Sequence, residues 1–162
     1  MAKLTSKILK IVNDENIYLM LVCSLFIFVP AAYLLYLSMS VYALNTNLST
    51  LLNNSSVESI NLIVNISSIY SAFVIFKIRE KKEYKNEMIA FAIVFVSQII
   101  LMNQLAIMVL FFYIYNFIGI KNIKKHYIKA NKSKDKKIIL LALFVLLIAM
   151  TTLIIKIKIG MI

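Results

Sequence analysis

The sequence predicts an all-α membrane protein, a polytopic bundle of transmembrane helices. Of its 162 residues, 62% are hydrophobic, well above the roughly 45–50% of soluble domains. The charged residues make up 15% of the chain, and they are concentrated in short clusters between long uncharged runs. The chain holds only two glycines and one proline, which suits long helices better than a transmembrane β-barrel with its many turns.

The uncharged runs predict about five membrane segments. They cover residues 17–44, 60–76, 88–102, 105–120 and 138–155. The first run is too long to be the core of a signal peptide, and we expect Pro30 near its middle to kink it. The last run has 13 Leu, Ile, Phe or Val residues among 18. At about −0.4 kcal/mol each, these residues contribute roughly −5 kcal/mol toward membrane insertion.

The run from Met88 to Ile120 is too long for one crossing. Its 33 residues would form a helix about 50 Å long, whereas the hydrocarbon core is about 30 Å thick. We therefore expect the third and fourth segments to form a tight or re-entrant hairpin that turns at Asn103-Gln104. With such a hairpin, the lysine-rich loop 121–137 joins the other basic segments in the cytoplasm, as the positive-inside rule requires.

The basic residues predict a multi-pass protein of the cytoplasmic (inner) membrane with a cytoplasmic amino terminus. Residues 1–16 form a basic segment, either an amphipathic helix on the membrane surface or a flank without structure of its own. Residues 45–59 are polar without lysine or arginine, which predicts an external loop. Lys156 and Lys158 are then external as well, in an interfacial tail. Given the net charge of +11, we expect anionic lipid headgroups, not nucleic acid, to contact the lysine-rich loops.

Polar side chains within the predicted spans are candidate contact residues. They are Asn61, Asn65 and Ser68 in the second span, and Gln98, Asn103 and Gln104 around the hairpin turn. Asn61, Asn65 and Ser68 share one helix face, and an amide in hydrocarbon must find a partner. We expect Gln98 to find an acceptor inside the bundle, and Asn61 to meet the hairpin group in an outward-facing polar patch. Recognition of a partner helix and ordinary packing within the bundle both explain such residues.

Catalysis and ion transport by a single copy are not supported by the sequence. No Asp, Glu, Lys, Arg or His falls within a predicted span, which argues against proton relays, ion-coupled transport and voltage sensing. A single cysteine and a single histidine leave no internal disulfide and no zinc site. Cys23 and His126 could form a nucleophilic pair, but no third group to orient them is evident. We expect no enzymatic activity, no metal and no cofactor.

The Lys/Asn/Ile-rich composition, with several spans and short loops, resembles the small inner-membrane immunity and exclusion proteins of bacterial plasmids and phages. The resemblance lies in composition and covers no motif. It implies a protein that acts by helix–helix binding to another membrane protein, of the immunity, exclusion, accessory or regulatory subunit type. The alternative is an oligomeric pore or transporter component, in which the partner is a further copy of the chain.

Overall fold

The computed structural model describes residues 14–80, 88–119 and 136–160, which form helices and no strand. In chain order the helices are α1 (Glu15–Ala43), α2 (Leu48–Asn54), α3 (Ser56–Glu80), α4 (Met88–Leu101), α5 (Gln104–Tyr113) and α6 (Lys136–Ile159). A π-helical turn over Ile114–Ile118 continues α5. Helices α1, α3 and α6 are long and apolar enough to cross a membrane. The all-α class is confirmed for these residues, and the three long helices support membrane embedding.

Asparagine and aspartate caps set where two of the helices begin. The Asp14 carboxylate accepts hydrogen bonds from the backbone amides of Asn16 and Ile17 at 3.0 and 3.2 Å, which caps α1. The Asn47 side chain accepts from the amide of Thr50 at 2.8 Å and caps α2 in the same way. Helix α2 therefore lies in the segment that the polar composition predicted as a loop. The sequence signal for it was the capping asparagine.

Helices α1 and α3 pack side by side in antiparallel directions. Near the end of α3, the Arg79 guanidinium donates to the Asn16 side chain at the start of α1 (2.6 Å). Far along α1, the Tyr33 hydroxyl donates to the Glu58 carboxylate at the start of α3 (2.6 Å). We call the end of the bundle that holds Arg79 the basic end, and the end that holds Glu58 the acidic end.

Helices α4 and α5 are both short, and the chain leaves helical geometry between them at Met102 and Asn103. Met102 adopts a φ of 59°, which is unusual for a residue with a side chain. The rings of Phe91, early in α4, and Tyr113, at the end of α5, lie 4.8 Å apart. The Tyr113 hydroxyl also donates to the Glu15 carboxylate at 2.9 Å. The two remote ends of this segment therefore meet near the basic end of the bundle.

The buried core joins α1, α3, α4, α5 and α6. Its fully buried side chains include Leu19, Ile75, Val94, Leu110 and Val145. The outward faces are apolar too, as on α6, where the exposed side chains include Leu140, Leu143, Leu147, Met150 and Ile154. Water would solvate such faces poorly, whereas acyl chains match them, so this distribution suits a bundle surrounded by lipid.

Two of the segments predicted from the sequence lie largely outside the described residues. Of the basic segment 1–16, the structure describes only residues 14–16, and of the lysine-rich loop 121–137 it describes only the last two.

Candidate functional site

The break between α4 and α5 is the most polar place inside the bundle. A helix end leaves its last backbone carbonyls without helical donors, and in an apolar interior each needs another partner. At the end of α4, the carbonyl of Gln98 accepts from the Asn103 amide (3.1 Å), and the carbonyl of Ile99 accepts from the Met102 amide (3.0 Å). The chain thus satisfies two of these carbonyls by turning back on itself.

The Asn103 side chain organises the break. Its Oδ1 accepts from the Ala106 amide at 3.3 Å, which caps α5. Its Nδ2 donates to Ser68 Oγ on α3 at 3.1 Å and to Gln98 Oε1 at 3.0 Å. The buried Gln98 amide in turn donates through Nε2 to Ser71 Oγ at 2.9 Å. One asparagine therefore ties together α3, α4 and α5, and Gln98 has the internal partner expected of a buried amide.

The break between α4 and α5 lies beside the midpoint of α3. Ser68 is the thirteenth of the 25 residues of that helix, and it is the residue that Asn103 contacts. Helix α4, with 14 residues, is about 21 Å long, compared with about 37 Å for α3. The α4–α5 pair therefore starts at the basic end and reaches only to the middle of the neighbouring long helix.

A narrow cleft beside the break is lined in part by Phe26, Pro30, Ser68 and Asn103. Pro30 has no N–H, so the Phe26 carbonyl lacks the donor that a helix would normally supply. The cleft measures about 10 Å³, which is at the lower limit for a single water molecule. The break is consequently packed by its own side chains and holds no ligand-sized cavity.

The six predicted contact residues divide into two groups in the structure. Ser68, Gln98 and Asn103 meet at the break, as described above. Asn65 donates to the backbone carbonyl of Asn61 at 2.8 Å, and the side chains of Asn61 and Gln104 are exposed. The expected contact between Asn61 and the hairpin group is therefore wrong. The break contacts α3 at Ser68. Ser68 lies two turns, or about 10 Å, from Asn61 along the same face of α3.

Lys156 also contacts the break, although the charge pattern predicted it in an external, interfacial tail. It is 8% exposed, and its ammonium donates to the Leu101 carbonyl, the last of α4, at 3.1 Å. The predicted tail is therefore helical as far as Ile159, because α6 continues past Lys156. The signal in the sequence was the apolar residue on each side of Lys156, which extends the helix past the lysine.

The cysteine is buried and lies apart from the break. The Cys23 thiol donates to the Ala72 carbonyl on α3 at 3.5 Å. His126 lies outside the described residues, so the Cys23–His126 pair stays untested. Within the residues that the structure describes, no group of three His, Cys, Asp or Glu side chains could hold a metal ion.

No protein-family model matches the sequence, and neither a curated protein nor a solved structure is detectably similar to the chain. The function is therefore inferred from the residues and their geometry alone.

Proposed function

We propose that this chain is a small integral protein of the bacterial cytoplasmic membrane that binds another membrane protein through lateral helix–helix contacts. Such binding is how immunity, exclusion and accessory or regulatory subunits act. The observation that carries the proposal is the exposed amide of Asn61 on α3, within a helix long and apolar enough to span the membrane.

In the proposed membrane arrangement, α1, α3 and α6 cross the bilayer and the α4–α5 pair is re-entrant. The amino terminus is cytoplasmic, and the basic end of the bundle faces the cytoplasm. Segments 1–16, 77–85 and 121–137 together carry 16 of the 18 Lys and Arg residues, and this arrangement puts all of them on the inner side. The ring contact of Phe91 with Tyr113 brings the start of α4 close to the end of α5. This contact supports an arrangement in which the α4–α5 pair enters and leaves the membrane on the same side.

Three polar residues at the break already have hydrogen-bond partners inside the bundle. They are therefore not available for contact with another membrane protein. Ser68, Gln98 and Asn103 bond to one another, to the Ser71 hydroxyl or to backbone, so they act as packing residues. The side-chain amide of Asn61, in contrast, makes no hydrogen bond with any residue in the described ranges. An amide facing hydrocarbon is unfavourable by several kcal/mol unless a partner supplies its hydrogen bonds.

Asn61 and Asn65 are proposed to form one recognition surface on the outer half of α3. They lie one turn apart, and Asn65 Nδ2 bonds only to the Asn61 carbonyl, which leaves its Oδ1 as an acceptor for a neighbour. The re-entrant pair ends below them at Ser68, so a foreign helix has room to approach. Gln104, exposed at the break, extends the polar surface toward the bilayer centre.

Site-specific photocrosslinking in the host membrane tests the proposal. A photoreactive residue at position 61 should crosslink to one defined membrane protein, whereas the same residue at Leu147, an exposed apolar position on α6, should crosslink to lipid only. The double substitution Asn61→Leu/Asn65→Leu should lower co-purification of that protein at least tenfold without reducing insertion. Equal crosslinking at positions 61 and 147 would contradict the proposed surface.

The second candidate is a pore or transporter component that works as an oligomer. The helix break at mid-bilayer depth favours it, because transporters place substrate and ion sites between broken half-helices. The packed cleft of about 10 Å³ speaks against a site within one copy. Ion or solute flux in liposomes that contain only this protein would favour the second candidate over the first.

A further inference from the structure

The outward face of α6, near the start of that helix, carries an apolar groove. The described side chains that line it are Leu140, Leu141, Leu143, Phe144 and Leu147. Four of these five are at least 46% exposed, so the groove is open to the surroundings of the bundle. It measures about 480 Å³, within the range of about 300–1,000 Å³ that is typical of ligand sites. An apolar ligand can therefore enter it from the side, unlike the packed cleft beside the break.

One wall of the groove is fixed by contact with α3. The Phe144 ring lies edge-on to the ring of Tyr70 at 5.3 Å, which is a favoured aromatic geometry. This contact holds a large and half-exposed side chain in place, so the wall is formed before a ligand arrives. A preformed wall favours binding, because the ligand does not have to order it.

The groove lies toward the basic end of the bundle. Helices α4 and α6 pack against each other, and the last residue of α4, Leu101, contacts Lys156 near the end of α6. The two helices therefore run in the same direction, and α6 begins at the basic end, as α4 does. With 24 residues, α6 is about 36 Å long, whereas the hydrocarbon core is about 30 Å thick. Its first turn can thus reach a headgroup layer when α6 crosses a bilayer.

Two lysines lie at the end of the groove. Lys136 and Lys137 are the first residues of α6, and both are exposed. Lys136 precedes Leu140 by four residues and Lys137 precedes Phe144 by seven, so each lysine shares a helix face with a side chain of the groove. The first turn of α6 holds no acidic residue, and residues 132–137 contain four lysines and one aspartate, a net charge of +3. The groove therefore ends at a positively charged surface.

We propose that this groove binds an acyl chain of an anionic phospholipid whose phosphate contacts Lys136 and Lys137. The ligand has to combine an apolar chain with a negative head group, because the lining is apolar and the adjoining charge is positive. Exposed ammonium groups donate charge-assisted hydrogen bonds to phosphate oxygens, while the chain fills the groove below them. A free phosphate would leave the groove empty. The lipid site lies on a different helix from Asn61, so it does not depend on the proposed protein partner.

Quenching of a single tryptophan by brominated lipid tests the site. The chain contains no tryptophan, so Phe144→Trp places one reporter in the wall of the groove. The full-length variant is reconstituted in vesicles of phosphatidylglycerol and phosphatidylcholine, with brominated chains on one lipid or the other. The two quenching curves give the ratio of the affinities for the two lipids. We expect phosphatidylglycerol to be favoured at least about fivefold, the effect of one lysine at an anionic membrane surface.

A second reporter separates this site from a general attraction to anionic lipid. Phe28→Trp is the same substitution at an exposed position of α1, a helix that begins at Asp14 and Glu15 instead of at lysines. It should report nearly equal affinities for the two lipids, because no lysine adjoins it on that helix. The bromine depth does not affect the comparison, since each reporter is its own reference for the two lipids.

Charge variants in the Phe144→Trp background identify the responsible lysines. Lys136→Gln/Lys137→Gln should remove the preference for phosphatidylglycerol, and Lys136→Arg/Lys137→Arg should retain it. Lys77→Gln/Lys158→Gln removes the same number of charges at other positions and should also retain the preference. Retained preference in the arginine variant, with unchanged circular dichroism in all three, separates loss of charge from loss of fold.

Four results would overturn the inference. Equal affinities for the two lipids at Phe144→Trp would remove the charged head group, and an equal preference at Phe28→Trp would show only general attraction. Loss of the preference in excess inorganic phosphate would identify free phosphate as the ligand, and a crosslink from Leu147 to a polypeptide would place a protein segment in the groove. Failure of the lipid site combined with a specific crosslink from position 61 would leave the proposed function intact, whereas absence of that crosslink would reject the proposed function.

Discussion

Replacement of Asn103 by leucine should destabilise the bundle more than any other single change of an amide in the described residues. Asn103 caps α5 through the Ala106 amide, and its Nδ2 bonds to Ser68 and Gln98. Leucine removes all three hydrogen bonds and leaves Gln98 Oε1 in an apolar interior without a donor. The α4–α5 break would then hold polar backbone groups that nothing covers.

The size of the effect follows from these contacts. Loss of a helix amino-terminal cap costs about 1 kcal/mol, and a side-chain hydrogen bond inside a membrane protein contributes about 0.6 kcal/mol. One cap and two such bonds give about 2 kcal/mol, roughly a 30-fold change in the folding equilibrium. Asn103→Ser keeps a capping oxygen but loses both amide bonds, so it should lose about 1 kcal/mol.

Equilibrium unfolding in dodecylmaltoside, with SDS as the denaturant and far-UV circular dichroism as the signal, measures this difference. Asn61→Leu is the matched control, because it is the same chemical change at an exposed position and should leave the free energy of unfolding within about 0.5 kcal/mol of the unmodified protein. If Asn103→Leu proved as stable as Asn61→Leu, the polar network at the break would have no structural role.

Three further outcomes are expected. Met102→Gly should stabilise the protein by about 0.5–1 kcal/mol in the same unfolding assay, because glycine adopts the φ of 59° without steric strain. Tyr33→Phe should lower stability by about 1 kcal/mol, since it removes a 2.6 Å bond to the Glu58 carboxylate. Tyr36→Phe, which loses a 3.3 Å bond to the same carboxylate, should lower stability by less than about 0.5 kcal/mol. Equal effects would contradict the role given to the Tyr33–Glu58 hydrogen bond. Cys23, which is buried, should react with maleimide only after SDS unfolds the bundle, and rapid labelling in mild detergent would refute its position.

Hydrophobic patterning predicted the helices well, because an uncharged run long enough to cross a bilayer admits few other structures. The predicted segment 60–76 corresponds to Ser56–Glu80, and 138–155 corresponds to Lys136–Ile159. In both cases the helix extends past the apolar run into charged residues, because backbone hydrogen bonds within a helix do not require apolar side chains. Charge clusters therefore marked the ends of the apolar runs and not the ends of the helices.

The candidate site was predicted in part. The need of Gln98 for an internal partner followed from its depth, and the partner is Ser71 on α3. Asn61 was assigned to the same group because it was predicted at the same end of the bundle as the hairpin turn. The sequence did not show how far along the bundle axis the turn lies, and Asn61 is two helical turns from it. The inward direction of the Lys156 side chain could not be inferred either. A lysine near the end of a spanning helix is expected to extend toward water, and the sequence does not show that the Leu101 carbonyl lies within reach of its ammonium.

The side of the membrane on which residue 130 lies is the most direct test of the re-entrant arrangement. Ala130→Cys in a Cys23→Ala background would be treated with a membrane-impermeant maleimide, first on intact cells and then after permeabilisation. If α4 and α5 enter and leave on the cytoplasmic side, the cysteine should react only after permeabilisation. Labelling in intact cells would mean that the chain crosses the bilayer once between Met88 and Ile120, and the folded-back pair would have to be abandoned.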